Sequence, residues 1–137
     1  MTIRQVTDFT AAQAIRAEVF IEEQGVSRAL EVDGLDDTCL HWLAVDDLGP
    51  AATLRVLPKG KTAKIQRVAV LRRVRGTGLG ARLMRQVMVE LRDKGFERAI
   101  LGAQLDAIRF YEKLGFVAEG PVYDDAGIDH RDMSRAL

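Results

Sequence analysis

One cysteine, Cys39, occurs in 137 residues, which excludes an internal disulfide and fits a reducing compartment. Histidine is nearly as scarce. His41, His130 and Cys39 lack the close spacing of a zinc site, so no metal is expected. Neither sign of charge is in excess, since 20 basic residues face 20 acidic ones. No overall field draws the chain to nucleic acid or to an anionic membrane, and neither is an expected partner. Apolar runs of membrane-spanning length are missing, and Met1-Thr2-Ile3-Arg4-Gln5-Val6 has no apolar segment of signal-peptide length. A soluble, cytoplasmic protein is the expectation. Internal repeats, low-complexity tracts and linkers are absent too.

What remains is ordinary globular composition, 47% apolar and 29% charged. The length suits one domain, residues 1–137, burying about two-thirds of its unfolded surface. Residues 2–6 alternate as a strand does. Thr10 is expected to cap a helix reaching Glu23, with Ile15, Val19 and Phe20 on one face. Gln24-Gly25-Val26 ends it. An acidic stretch follows through Glu31, Asp33, Asp36 and Asp37, which hints at a cationic substrate.

Residues 40–45 and 51–57 read as a hairpin around Asp46-Asp47-Leu48-Gly49-Pro50, and 63–71 as a third strand. Leu79, Leu83, Val87, Met88 and Leu91 then share one helical face, and Gly95 stops that helix. A strand at 96–101, a helix at 105–114 and a hairpin of 116–123 with 128–134 complete the chain. The order β-α-β-β-β-α-β-α-β-β predicts an α/β fold, a mixed sheet with helices on its faces.

The most telling segment is Arg72-Arg73-Val74-Arg75-Gly76-Thr77-Gly78-Leu79-Gly80, between an apolar strand and the long helix. Alternate glycines permit a tight turn with uncovered amide N–H groups. The helix start adds unpaired donors and the positive end of its dipole. Phosphate or pyrophosphate suits such a place, and arginines add charge. A nucleoside triphosphate loop does not fit, because Gly60-Lys61-Thr62 has Arg55 where the first glycine belongs and a strand following it. Gly76, Gly78 and Ala81 satisfy a dinucleotide pattern literally, but too few residues follow to complete a doubly wound sheet.

Arg75-Gly76-Thr77-Gly78-Leu79-Gly80 also fits [QR]-x-x-G-x-[GA], and here the chain resembles the GCN5-related N-acetyltransferase (GNAT) superfamily. Arg67-Val68-Ala69-Val70 is similar to that superfamily's fourth strand, and the run from Ala107 to Phe116 to its later helix. Residues 18–26, Glu31-Val32-Asp33, His41, Ala103-Gln104 and 127–133 resemble the small single-domain YjcF/ElaA-like branch. One departure is Gln66-Arg67, where that branch often has Glu-Arg.

The resemblance implies acetyl transfer from acetyl-CoA to an amine of a small molecule or peptide, in a ternary complex. It implies that backbone from Arg75 through Gly76, Thr77, Gly78, Leu79 and Gly80 to Ala81 holds the pyrophosphate. The edge at Val68, Ala69 and Val70 would pair with the pantetheine arm, and Arg72, Arg73 or Arg75 would meet the 3′-phosphate. Gln104 either bonds the pantetheine or holds the Asp106 helix start. Glu23 and Gln24 line the acceptor side, and a homodimer through the terminal strands is compatible with the family.

Tyr111 is the expected general acid, a phenol of pKa about 10 able to give a proton to the departing thiolate. An alkylamine of pKa about 10.4 is neutral roughly once in 2,500 at pH 7, so a base is wanted. Glu22, Glu23, Asp33, His130 or water can be that base; Gln66 cannot. Cys39 and His41 share a strand face, and a nucleophilic pair there is the remote alternative to one buried and one bridging residue. The rival function is a non-catalytic acyl-CoA-binding or sensing module.

Overall fold

In the computed structural model, which describes residues 1–137, the strands are β1 (Thr2–Val6), β2 (Leu40–Asp46), β3 (Gly49–Lys59), β4 (Thr62–Val70), β5 (Arg98–Gln104), β6 (Val117–Asp125) and β7 (Ile128–Ala136). The helices are α1 (Thr10–Arg16), continued by a π-helical stretch at Ala17–Glu23, then α2 (Arg28–Glu31), α3 (Leu79–Asp93) and α4 (Ile108–Glu112). One seven-stranded sheet runs in the order β1-β2-β3-β4-β5-β7-β6. Its neighbours are antiparallel except β4 and β5, which the α3 crossover makes parallel.

That parallel pairing is short, with Thr62, Ala63 and Lys64 opposite Arg98, Ala99 and Ile100. Beyond it the strands part. β4 stays with β3 as far as Ala52↔Val70, while β5 follows β7 to Gln104↔His130. A bulge lies just past the parting point, where Arg67 takes φ 53° and the β3–β4 register shifts between Thr53 and Arg55. An extra residue bends and twists its strand, which helps turn β4 away from β5.

Side-chain alternation divides the core between the two faces of the sheet. On one face, α3 lays Leu79, Leu83, Met84, Val87, Met88 and Leu91 against Trp42, Leu54, Val56 and Leu101. Each fully buried side chain of this size contributes about 1.5–3 kcal/mol. On the other face, Ile15 and Val19 of the first helix cover Leu43 and Ala69.

Three arginines and three carboxylates are gathered beside this second cluster. Arg16 Nε donates to Glu31 Oε1 at 2.6 Å and Nη1 to Asp36 Oδ1 at 2.7 Å. Arg55, fully buried, donates to Asp33, Asp36 and Gln66 Oε1. Arg67 reaches Asp33 at 3.2 Å and the carbonyl oxygens of Leu30 and Glu31. The acidic stretch is therefore not a free surface for cations, because its carboxylates Glu31, Asp33 and Asp36 are neutralised from within. Asp37 alone among the four lacks an ion-pair partner.

Other differences from the expected elements have local causes. Thr10 does not cap α1. Asp8 accepts from its N–H at 3.0 Å and its hydroxyl at 2.7 Å, since a carboxylate two residues upstream is the stronger acceptor. The short helix α2, not expected, begins at Ser27, whose side chain accepts from the Leu30 N–H. The last hairpin closes through Ala126 and Gly127 alone, both at positive φ, with Asp125 opposite Ile128.

The ion cluster predicts acid lability. Hydrogen bonding to Arg55 holds Asp33 at about 2, below its ordinary 3.8. Burial works to raise Asp36, but hydrogen bonds from Arg16 and Arg55 outweigh it and hold that carboxyl lower as well. Depressed folded values mean stabilisation that is complete above 3.8 and lost as pH falls toward about 2. Urea midpoints should drop across that window. Asp36→Asn should cost about 3–5 kcal/mol at neutral pH, having left two buried arginines short of a partner, and should make the acid decline shallower.

Candidate active site

The loop before α3 begins with a single 3₁₀ turn, Arg72–Val74. Gly76 and Gly78 follow at φ 77° and 85°, a left-handed conformation that side chains with a Cβ resist. Open space surrounds the Cα of each. The N–H groups of Gly76, Thr77, Gly78, Leu79, Gly80 and Ala81 find no acceptor within the protein; the first paired donor in the helix is Arg82, to Gly78. Gly80 brings the helix start close to Phe110 and Val70, whose atoms a Cβ there would meet at 3.4 Å. The result is a concave row of donors at the positive end of a 15-residue helix, a shape suited to an anion.

This row continues into the gap between β4 and β5, a cleft of about 820 Å³. Leu71 N–H pairs with Ala51 across β3, so alternation turns the Val70 amide and carbonyl toward the gap. Arg75 Nε donates to that carbonyl at 2.9 Å. Tyr111 lies in the cleft wall, 8% exposed, packed edge-on against Phe110 and Phe116. Burial pushes its phenol up, so it keeps its proton at neutral pH.

Two side-chain bridges span the mouth. Glu23 Oε2 lies 2.8 Å from Arg75 Nη2 and 3.7 Å from Arg72. Gln104 Nε2 donates to Gln24 Oε1 at 2.9 Å, so Gln104 holds the end of the first helix and not the Asp106 helix start. Both bridges depend on the π-helical stretch that brings Glu23 and Gln24 over the sheet.

Of the residues singled out from the sequence, Val68, Val70, Arg75, Gly76, Gly78 through Ala81, Gln104, Glu23, Gln24 and Tyr111 line this one cleft. Ala69 does not; it is buried against the first helix on the far side of its strand. Thr77 points its hydroxyl back to the Val74 carbonyl. Arg73 is committed to Asp46 at 2.6 Å and is not free to meet a phosphate. Among the candidate bases, Glu22 is exposed outside the cleft, Glu23 is paired with arginine, and Asp33 is held by Arg55 and Arg67. His130 lines the cleft.

Cys39 and His41 form no reactive pair. His41 Nε2 donates to the Asp36 carbonyl at 2.8 Å, its ring stacks on Phe9, and burial pushes the Cys39 thiol up. Sequence reasoning missed Tyr123, which reaches Asp132 at 2.8 Å and stacks on His130. The available signal was Gly102, where any Cβ would collide with the Tyr123 hydroxyl.

A strand that parts from its neighbour beside a donor-lined loop makes a slot suited to an extended ligand with an anionic end, and comparison with known proteins gives the class. The family described as "Acetyltransferase (GNAT) domain" matches residues 5–137. The uncharacterized N-acetyltransferase YjcF of Bacillus subtilis is 34% identical over 122 residues, spanning 88% of this chain and 87% of YjcF. An acyl-CoA N-acyltransferase structure from Pseudomonas aeruginosa superposes with TM-score 0.88 at 31% identity, covering 99% and 100% of the two chains. Escherichia coli ElaA superposes at 0.86 with 26% identity over 98% of each. The chain belongs to the GNAT acetyltransferase family, in the small branch that includes YjcF and ElaA.

The Glu23–Arg75 bridge sets a carboxylate beside the anion row. Glu23→Gln should therefore strengthen binding of a diphosphate ligand such as CoA by about two- to fivefold, the size of an exposed ion pair. Calorimetric titration in low and high salt checks this, with the gain shrinking as salt screens the charge.

Proposed function

We propose that this chain is an acetyl-CoA-dependent N-acetyltransferase acting on a primary amine of a small molecule or peptide. Direct transfer takes place with both substrates bound in one domain. The observation that carries the reading is the continuity between the unpartnered donor row, Gly76 to Ala81, and the open edge of β4 at Val68 and Val70. Few other ligands require a diphosphate cradle leading directly into a strand-shaped slot, and an amide-bearing pantetheine arm does.

Acetyl-CoA supplies an activated thioester, so the protein needs only to hold, polarise and move protons. Backbone N–H groups of β4 are positioned to draw charge onto the thioester oxygen. Arg75 and Arg72 frame the phosphates, with Glu23 as their partner when no anion competes. Tyr111, kept protonated by its apolar surroundings, gives its proton to the departing sulfur. Gln66 accepts from Arg55 Nε at 3.0 Å and serves the ion cluster, so it takes no part in proton removal.

Thiol release from acetyl-CoA in the presence of an amine panel tests this function. Turnover with at least one amine supports it; tight CoA binding with no release from any amine would mark a sensing module instead. Tyr111→Phe should lower kcat by about 100-fold or more while CoA affinity stays within about twofold, because one general acid is removed and little volume changes. An unchanged rate would exclude Tyr111 from the chemistry.

A further inference from the structure

Proton removal from the acceptor is the half of the reaction to which the family's cleft assigns no group here. We infer that His130 is the group that deprotonates the acceptor amine, a role that rests on the N-acetyltransferase reading above. Its geometry is specific. Nδ1 lies 2.7 Å from the carbonyl oxygen of Ile128, and a carbonyl can only accept, so Nδ1 carries the hydrogen. The neutral ring then has its lone pair on Nε2, which has no partner in the protein. A backbone contact two residues away thus selects the tautomer that leaves a basic nitrogen free.

The surroundings hold the ring in place. Tyr123 stands opposite His130 in the β6–β7 register and stacks on it at 5.9 Å between centroids, 25° from parallel. Tyr123 is fixed in turn by its bond to Asp132 and by the space that Gly102 leaves. The two-residue turn through Ala126 and Gly127 sets that register. Gln104 is opposite His130 on β5 and is tied to Gln24 of the first helix. The charged groups sharing the cleft are Asp125 on the hairpin, Asp106 after β5, Lys64 and Arg67 on β4, Glu31 of α2, and the Glu23–Arg75 pair. Arg131 turns to the other face, where it bonds the Gly120 carbonyl.

The three carboxylates named as bases from the sequence are placed elsewhere. Glu22 is outside the cleft, Asp33 is paired with Arg55 and Arg67, and Glu23 lies at the anion row beside Arg75 and Arg72. The proton balance is then complete. Nε2 takes one proton from the bound ammonium and later releases it to solvent. The freed nitrogen pair forms the N–C bond, and the C–S pair leaves on sulfur, which takes the Tyr111 proton. The second N–H proton returns to the Tyr111 phenolate through solvent.

The experiment compares wild type with His130→Gln on the best alkylamine from the panel and on methoxyamine, whose nitrogen is already neutral at pH 7. His130→Gln should lower kcat/KM for the alkylamine at pH 7 by about 100-fold or more. The variant's rate should then rise about tenfold per pH unit toward the pKa of the amine itself, because only free amine can react. Rates with methoxyamine and affinity for CoA should change by no more than about twofold, a selectivity that simple misfolding would not produce. Equal losses with both amines, or a deficit with the alkylamine that does not shrink as pH approaches the amine's own pKa, would overturn the assignment while leaving the enzyme reading intact. Absence of release by wild type with every amine would overturn both.

Discussion

Divergence of β4 from β5 is the constraint on which the rest depends. Three residue pairs hold the parallel strands together, after which each follows its antiparallel neighbour. Antiparallel ladders on both outer sides are long, so the sheet opens at its weakest seam. The opening leaves backbone donors and acceptors on β4 without strand partners, a state that a folded interior does not tolerate unless water or a ligand supplies them. Arg75, bonding the Val70 carbonyl, satisfies part of that demand from the protein itself. The glycine loop lies at the end of the same seam, so one event of chain divergence creates both the slot and its anionic terminus.

A second element, the buried arginine–carboxylate cluster, fixes the wall opposite. It joins α1, α2, the loop to Asp36, β3 and the bulge of β4 through Arg16, Arg55 and Arg67. Such a cluster is no bargain for stability, because desolvation offsets much of the attraction. Its directional bonds do specify where Leu30 and Glu31 lie relative to the bulge, and these residues border the cleft. Arg67 serves both ends, since its backbone makes the bulge and its side chain anchors α2.

Much of this was legible in the residues, and the failures follow a pattern. The glycine loop could be read because glycine, arginine and a helix start coincide within a few positions, and α3 because its apolar period is long. The strands were found with ends displaced by a residue or three; β5 runs to Gln104 because pairing with β7 continues there. The bulge could not be read, since positive φ is expected of glycine or asparagine and Arg67 is neither. α2 spans four residues, too few to display a period. The carboxylates of residues 31–36 looked solvated because their arginine partners belong to a distant helix and strand. His130 could be named from the sequence as one base among several, but its tautomer depends on a carbonyl contact that composition does not encode.

The π-helical stretch at Ala17–Glu23 carries a consequence of its own. Its hydrogen bonds close one residue further along the chain than those of an α-helix, so the winding is wider and accommodates one more residue than an ordinary coil. Each residue of an α-helix advances the side-chain direction by about 100°. Rewinding the segment to regular pitch would swing Glu23 and Gln24 round the axis, away from Arg75 and Gln104. The mouth of the cleft is in that sense spelled by a single surplus residue, and shortening the segment by one would unlatch it without touching any group inside.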